Sequence, residues 1–114
     1  MLTSGDVVGA DLGTPMGHEA GFAHPVVIVT AQRVLDGEPS VVHVVPLTTT
    51  RRRFGSEVPV EANGGSGLER ESSAQCQHVR SISTARVTQS RGNVGAIVLA
   101  HIRETIGVLL DIEG

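Results

Sequence analysis

The sequence predicts a mainly-β (α+β) fold: a small, strongly bent antiparallel sheet or partly open barrel with one C-terminal α-helix. Three observations predict it. Short β-branched runs fill the first half of the chain, at DVVGADL, PVVIVTA and VVHVVPLTT, and read as strands. Segments bearing Gly and Pro separate them. One amphipathic stretch of helical period closes the chain. Strands first and one good helix last fit an α+β or mainly-β arrangement.

The bulk composition narrows the classes. At 114 residues the chain fits one domain, 1–114, with one real core. Its 39% hydrophobic and 18% charged residues match ordinary globular proteins. No apolar run approaches the ~20 residues of a membrane helix, and no basic segment leads an apolar stretch as in a signal peptide. A cytoplasmic protein without a membrane partner is expected. The net charge of −3 and the two aromatic residues, Phe22 and Phe54, argue against a general nucleic-acid binder and against a base-stacking platform. A polyanion site would have to be local, and Arg51, Arg52 and Arg53 are its obvious source.

The elements follow in chain order. Asp6–Leu12 reads as a strand with Val8, Ala10 and Leu12 on one face and Val7, Gly9 and Asp11 on the other. Gly9 leaves room for a close approach by a neighbour. Gly13–His24 has three Gly, a Pro and no periodicity, so it is a loop, and a long one for a hairpin. Pro25–Ala31 is apolar on both faces and should lie centrally, with Pro25 at its first position, where a missing donor is tolerated. Gln32–Ser40 is a turn with at most one helical turn. Val41–Thr49 is the next strand, with Val42, Val44 and Thr48 on one face and Val41, His43, Val45 and Leu47 on the other. His43 is expected to be structural on a half-buried face.

Arg51–Ser56 is a basic turn, and Glu57–Val60 starts a fourth strand, an edge one because of Pro59. Ala62–Gly67 is a loop. Ser73–Val79 suits a strand with a bulge, Val79–Ile82 a short extended piece, and Thr84–Arg91 a polar connection with room for a helical turn. Asn93 or Gly95 opens the helix. Its apolar stripe is Val98, Leu99, Ile102, Ile106, Leu109 and Leu110. Gly107 costs it about 1 kcal/mol relative to Ala, so packing must hold it in place. Cys76, the single cysteine, reads as a packed small apolar residue.

Chemistry is limited by what is missing. Five His are present, but there is no HxH, HExxH or CxxC arrangement, so neither a metal nor any other cofactor is expected. GGSG at 64–67 precedes no Lys and opens no helix, which rejects a phosphate-binding P-loop. No GxSxG elbow is present. What remains is a set of polar groups able to converge: His18, Glu19, His24, Thr48, Thr49 and Arg51–Arg53. Imidazole, hydroxyl and guanidinium together suit a phosphodiester. An imidazole can move the proton of a ribose 2′-OH or of the leaving 5′-oxygen. Guanidinium and hydroxyl donors can steady the charge on the phosphate oxygens. From spacing alone, a solvated loop and a basic turn that keeps an edge soluble explain the same residues.

The ordered set of motifs adds to this. GDVVGADLG, PMGHEAGFAHPVVIV, VVHVVPLTTT, QCQHVRSIS and the C-terminal amphipathic helix together resemble the MazF/PemK family of toxin endoribonucleases, over nearly the whole chain. The resemblance implies an SH3-like, CcdB/PemK-type barrel with an appended helix. It also implies a homodimer, metal-independent cleavage of single-stranded RNA to 2′,3′-cyclic phosphate and 5′-OH ends, and a cognate antitoxin protein. By position, Thr48 matches the family's active-site Thr, and His18 and Glu19 match its G-[SH]-E loop element. Gln77 and Arg80 fall in its later Q-x-x-R-S segment, Arg80 orienting local structure or the phosphate path.

Two departures stand out. His24 precedes Pro25 where the family carries its active-site Arg, and Gly9 lies in the region of a common first-strand aromatic. His24 and Thr48 are therefore the expected catalytic pair. His18, Glu19, Thr49, Arg51, Arg52, Arg53, Gln77 and Arg80 are expected to bind substrate, with the arginines supplying the charge absent beside Pro25. Two other functions stay open at this point: a gyrase-directed toxin of the same fold, although Leu109–Gly114 has no aromatic anchor, and a catalytically weakened homologue that still binds antitoxin.

Overall fold

A computed structural model describes residues 1–13, 17, 23–50, 52 and 54–112. The strands are β1 (Asp6–Asp11), β2 (Ala23–Ile28), β3 (Val41–Thr48), β4 (Glu57–Val60), β5 (Ser72–Gln75), β6 (Arg80–Ser83) and β7 (Val87–Asn93). The helices are a single turn, α1 (Gln32–Leu35), and the long α2 (Ala96–Leu109), with 3₁₀ turns at Cys76–His78 and Thr84–Arg86. Seven antiparallel strands run in the order β4-β5-β3-β2-β1-β7, and β6 pairs with β3 off that path. The sheet is mainly β with one packed helix, as expected, and it does not close on itself.

β3 is the strand about which the sheet bends. Along one edge Val44–Pro46 pair with β2. Along the other, Val41–Val44 pair with β6 and Leu47–Thr48 with β5. Pro46, which has no N–H to donate, sits in the gap between those two partners. Alternation then distributes the apolar residues over two cores. Val7, Val27, Val45, Leu47, Val58, Val60, Ala74 and Cys76 pack with Ile102 of α2. Val8, Ala10, Leu12, Val26, Ile28, Val42, Val44 and Ile82 pack on the opposite face with Leu35 of α1. The expected faces of β1 and β3 match this division, and β2 is central because both of its faces are covered.

Several expectations need correction. β2 begins at Ala23, so Pro25 is its third residue, opposite Gly9. The segment 84–91 is largely a strand. β7 was illegible because VTQSRGN is polar on both faces, as an exposed edge strand can be, and its register with β1 is broken by two irregularities. Residues 73–79 divide into β5 and a 3₁₀ turn instead of one bulged strand. His43 is exposed, its backbone N–H donating to Thr30 Oγ1 at 2.8 Å. The buried stripe of α2 ends at Ile106, for Leu109 and Leu110 are about half exposed; helical period marks a face without marking how far the layer beneath it extends.

Gly95, at φ 87°, is the residue before α2. Asn93 Oδ1 accepts from its N–H at 2.8 Å, while Asn93 Nδ2 donates to Ser4 O at 3.0 Å. One side chain thus ties the helix start to the N-terminal segment. Among the described residues no helix is long and apolar enough to cross a membrane.

Candidate active site

Residues directly opposite in neighbouring strands share a sheet face. His24 lies opposite Ala10 on the face of the second core. The β2–β3 register, with Val26 opposite Pro46, sets His24 beside Thr48 when carried two residues further. Thr48 lies opposite Ser73, and Gln75, two residues along β5, lies opposite Glu57. One face therefore changes from apolar under β1, β2, β3 and β6 to a polar row of His24, Thr48, Ser73, Gln75 and Glu57.

His24 is half-buried, and its Nε2 hydrogen-bonds the carbonyl of Leu47. A carbonyl oxygen can only accept, so Nε2 carries a proton and Nδ1 is the nitrogen left for chemistry. Thr48 Oγ1 accepts from the Thr50 N–H at 3.1 Å. That bond occupies a lone pair and leaves the hydroxyl proton to donate elsewhere. His24 and Thr48 thus lie at the adjoining ends of two paired strands, with His24 bonded to the carbonyl of the residue before Thr48. Thr49 is exposed on the turn that follows.

The remaining expected residues divide. Arg52 Nη2 donates to Glu57 Oε2 at 2.9 Å, and the guanidinium lies over the Phe54 ring at 5.2 Å. Gln77 Nε2 donates to the same oxygen at 3.0 Å. Arg52 and Gln77 are therefore brought together, but through a carboxylate that draws on their donors. Arg80 Nη1 donates to Leu12 O at 3.4 Å. Being opposite Val44, it shares the face of His24. His18, Glu19, Arg51 and Arg53 lie outside the described residues.

Glu57 and Arg86 are residues that sequence reasoning missed. Glu57 was read only as the start of a strand; its signal was a carboxylate placed at the mouth of an apolar run just after three arginines. Burial raises its carboxyl pKa, but hydrogen bonds from Gln77 and Arg52, the charge of Arg52 and the amide of Gln75 outweigh that and hold it below the usual carboxylate range. Arg86 Nη1 donates to Asp11 O at 3.3 Å, one residue from the carbonyl that Arg80 meets, so two guanidinia converge on the end of β1. No periodicity marks it.

A groove of about 670 Å³ is lined among others by Val29, His43, Val79, Arg80, Arg103 and Ile106. Its lining is mostly apolar, and of the expected site residues it holds Arg80 but neither His24 nor Thr48. Among the described residues no group of three or more His, Cys, Asp or Glu is arranged to hold a metal ion.

Comparison with known proteins is consistent across sequence and structure. Residues 3–110 match a family model described as PemK-like, MazF-like toxin of type II toxin–antitoxin system. The chain is 32% identical over 120 residues to Endoribonuclease MazF9 of Mycobacterium tuberculosis (strain ATCC 25618 / H37Rv), covering 98% of each. It is similar to the Mycobacterium tuberculosis toxin MazF-mt6 at a TM-score of 0.78 and 28% identity, covering 96% of this chain and 99% of that one. An endoribonuclease solved with its cognate antitoxin, from a mycobacterial species, matches in fold at a TM-score of 0.77 and 19% identity, over 100% and 99% of the two chains.

Proposed function

This chain belongs to the PemK-like, MazF-like family of type II toxins, and from that premise we propose that it is a sequence-selective endoribonuclease toxin. It cuts single-stranded RNA without a metal, acts as a homodimer in the cytoplasm, and is neutralised by a cognate antitoxin. The observation that carries the reading is the hydrogen bond from His24 Nε2 to the carbonyl of Leu47, the residue before Thr48.

That geometry supports the following chemistry. A ribose 2′-oxygen attacks the adjacent phosphorus and the bond to the 5′-oxygen breaks. Entering and leaving oxygens stand on opposite sides of phosphorus, so one fixed imidazole serves one of them. His24, its Nε2–H held by the Leu47 carbonyl, gives the proton on Nδ1 to the departing 5′-oxygen. The 2′-OH proton passes to water, and water later reprotonates Nδ1. The Thr48 hydroxyl donates to a non-bridging phosphate oxygen as charge gathers there. Arg80 and Arg86 lie on the flanking path, where guanidinia suit phosphates. Thr49, Arg52 and Gln77, with His18, Glu19, Arg51 and Arg53, complete the proposed substrate contacts. The products are a 2′,3′-cyclic phosphate and a 5′-OH.

The deciding experiment is incubation of the purified chain with a long defined RNA in EDTA, followed by mapping of the ends. Cyclic-phosphate ends at one short motif are expected. Intact RNA, or cleavage that EDTA abolishes, would overturn the reading. Tight antitoxin binding with intact RNA would select a non-catalytic homologue instead.

A further inference from the structure

Glu57 is the one charged residue that is buried among the described residues, with its side chain 1% exposed. Both of its side-chain donors, Arg52 Nη2 and Gln77 Nε2, converge on Oε2. Oε1 is out of reach of solvent and has no hydrogen-bond partner among the described residues. Merely pinning the 50–56 turn would not require this. Two donors facing a carboxylate readily divide between its two oxygens, whereas here both crowd onto one; the Gln75 amide acts on the carboxylate from the neighbouring strand without making a hydrogen bond to Oε1, so that oxygen can still take a donor.

The donors already present indicate the kind that fits. A guanidinium and a primary amide both offer planar N–H groups, as does the exocyclic amine on the Watson–Crick edge of an unpaired base. Location agrees. The row Glu57–Gln75 lies two residues along β5 from the row Ser73–Thr48, about 7 Å at strand spacing, close to the repeat of an extended nucleotide. Arg52, 37% exposed on its side chain, is the partner free to move. Drawn to a phosphate, it would release Oε2 and let the carboxylate turn toward a base.

We propose that Glu57 is a specificity-determining residue: its Oε1 accepts from the exocyclic amine of a base beside the cleaved bond. Adenine, guanine or cytosine is then required at that position, and uracil, which carries a carbonyl there, is refused. This rests on the ribonuclease reading above.

The test begins with wild type and its mapped cleavage motif. Each amine-bearing base of the motif is replaced singly by its amine-free analogue: inosine for guanosine, purine riboside for adenosine, pyrimidin-2-one riboside for cytidine. A fall of roughly tenfold or more at one position next to the cut is expected. Glu57→Met, which has a similar length and no oxygen acceptor, checked for a wild-type circular dichroism spectrum, should cut the two RNAs of that pair at equal rates. Indifference of wild type to every amine overturns the proposal, whether or not the variant folds. A Glu57→Met enzyme that keeps full discrimination overturns it as well. A wild type that cuts no RNA overturns the ribonuclease reading itself, and this proposal with it.

Discussion

His24 and Leu47 are joined by a bond from the imidazole Nε2 to the backbone carbonyl, which fixes the ring at the end of β2 against the end of β3. The bond uses a backbone acceptor, so it survives any side-chain change at Leu47. It also commits Nε2–H to the backbone and leaves Nδ1 as the nitrogen that can give and regain a proton.

His24→Ala should therefore lower RNA cleavage by roughly 10²–10⁴-fold, and Thr48→Ala by roughly 10²–10³-fold. Thr48→Ser, which keeps the hydroxyl, should retain most of the rate. Single-turnover cleavage of one end-labelled RNA measures all three. A His24→Ala rate equal to wild type removes this residue from the mechanism.

Glu57 gives the fold an acid-sensitive joint. Its folded pKa lies below the ordinary value of 4.5, so the unfolded chain takes up this proton first. Its stabilisation is complete above the unfolded value and is lost as pH falls through the lower, folded one. Glu57→Gln should cost about 1–2 kcal/mol at neutral pH, less than the ~3–5 kcal/mol of a fully buried pair because Arg52 is exposed to solvent. The variant should also lose less stability than wild type on acidification. Urea unfolding as a function of pH checks both, and parallel curves for the two proteins would exclude this role.

Gly92 admits no side chain. A Cβ there would stand 2.3 Å from Gly65 O and 2.7 Å from the Ser66 carbonyl carbon, where the 62–67 loop crosses β7. Gly92→Ala forces two backbones apart and should destabilise the protein by about 1–3 kcal/mol, as overpacking does. Chemical denaturation measures it, and an unchanged midpoint would show that the two segments are not in this contact in solution.

Cys76 should be inert. It is fully buried, its Sγ lies 3.8 Å from Ile102 O, and burial with the Glu57 charge pushes the thiol up to about 11. Thiolate is the reactive form, so native protein should resist alkylation until it unfolds. Cys76→Ala should keep cleavage activity and lose about 1 kcal/mol for the small void. Rapid labelling of native protein by a disulfide reagent would contradict this.

Much of this architecture is legible in the residues themselves. Period-two alternation in DVVGADL and VVHVVPLT assigned side chains to two faces, and the two observed cores follow it. The helical stripe found α2, because the burial of Leu99 and Ile102 leaves a periodic trace. β7 left none, since an edge strand open to solvent needs no apolar face. Of the site, Thr48 was legible as the hydroxyl at the end of a strand, and His24 as the residue before Pro25.

The sequence by itself determined which residues can be buried and in what order the strands come, because alternation and turn chemistry are local. Only the tertiary structure decided what the polar groups do. It brought His24 to Leu47 through the β2–β3 register. It also spent Arg52 and Gln77 on a buried Glu57, and set Arg86 beside Arg80 at the end of β1, 75 residues apart in sequence from the Asp11 carbonyl that Arg86 meets. Those partnerships depend on strands paired across long separations, and no local pattern of residue types encodes a register between distant segments.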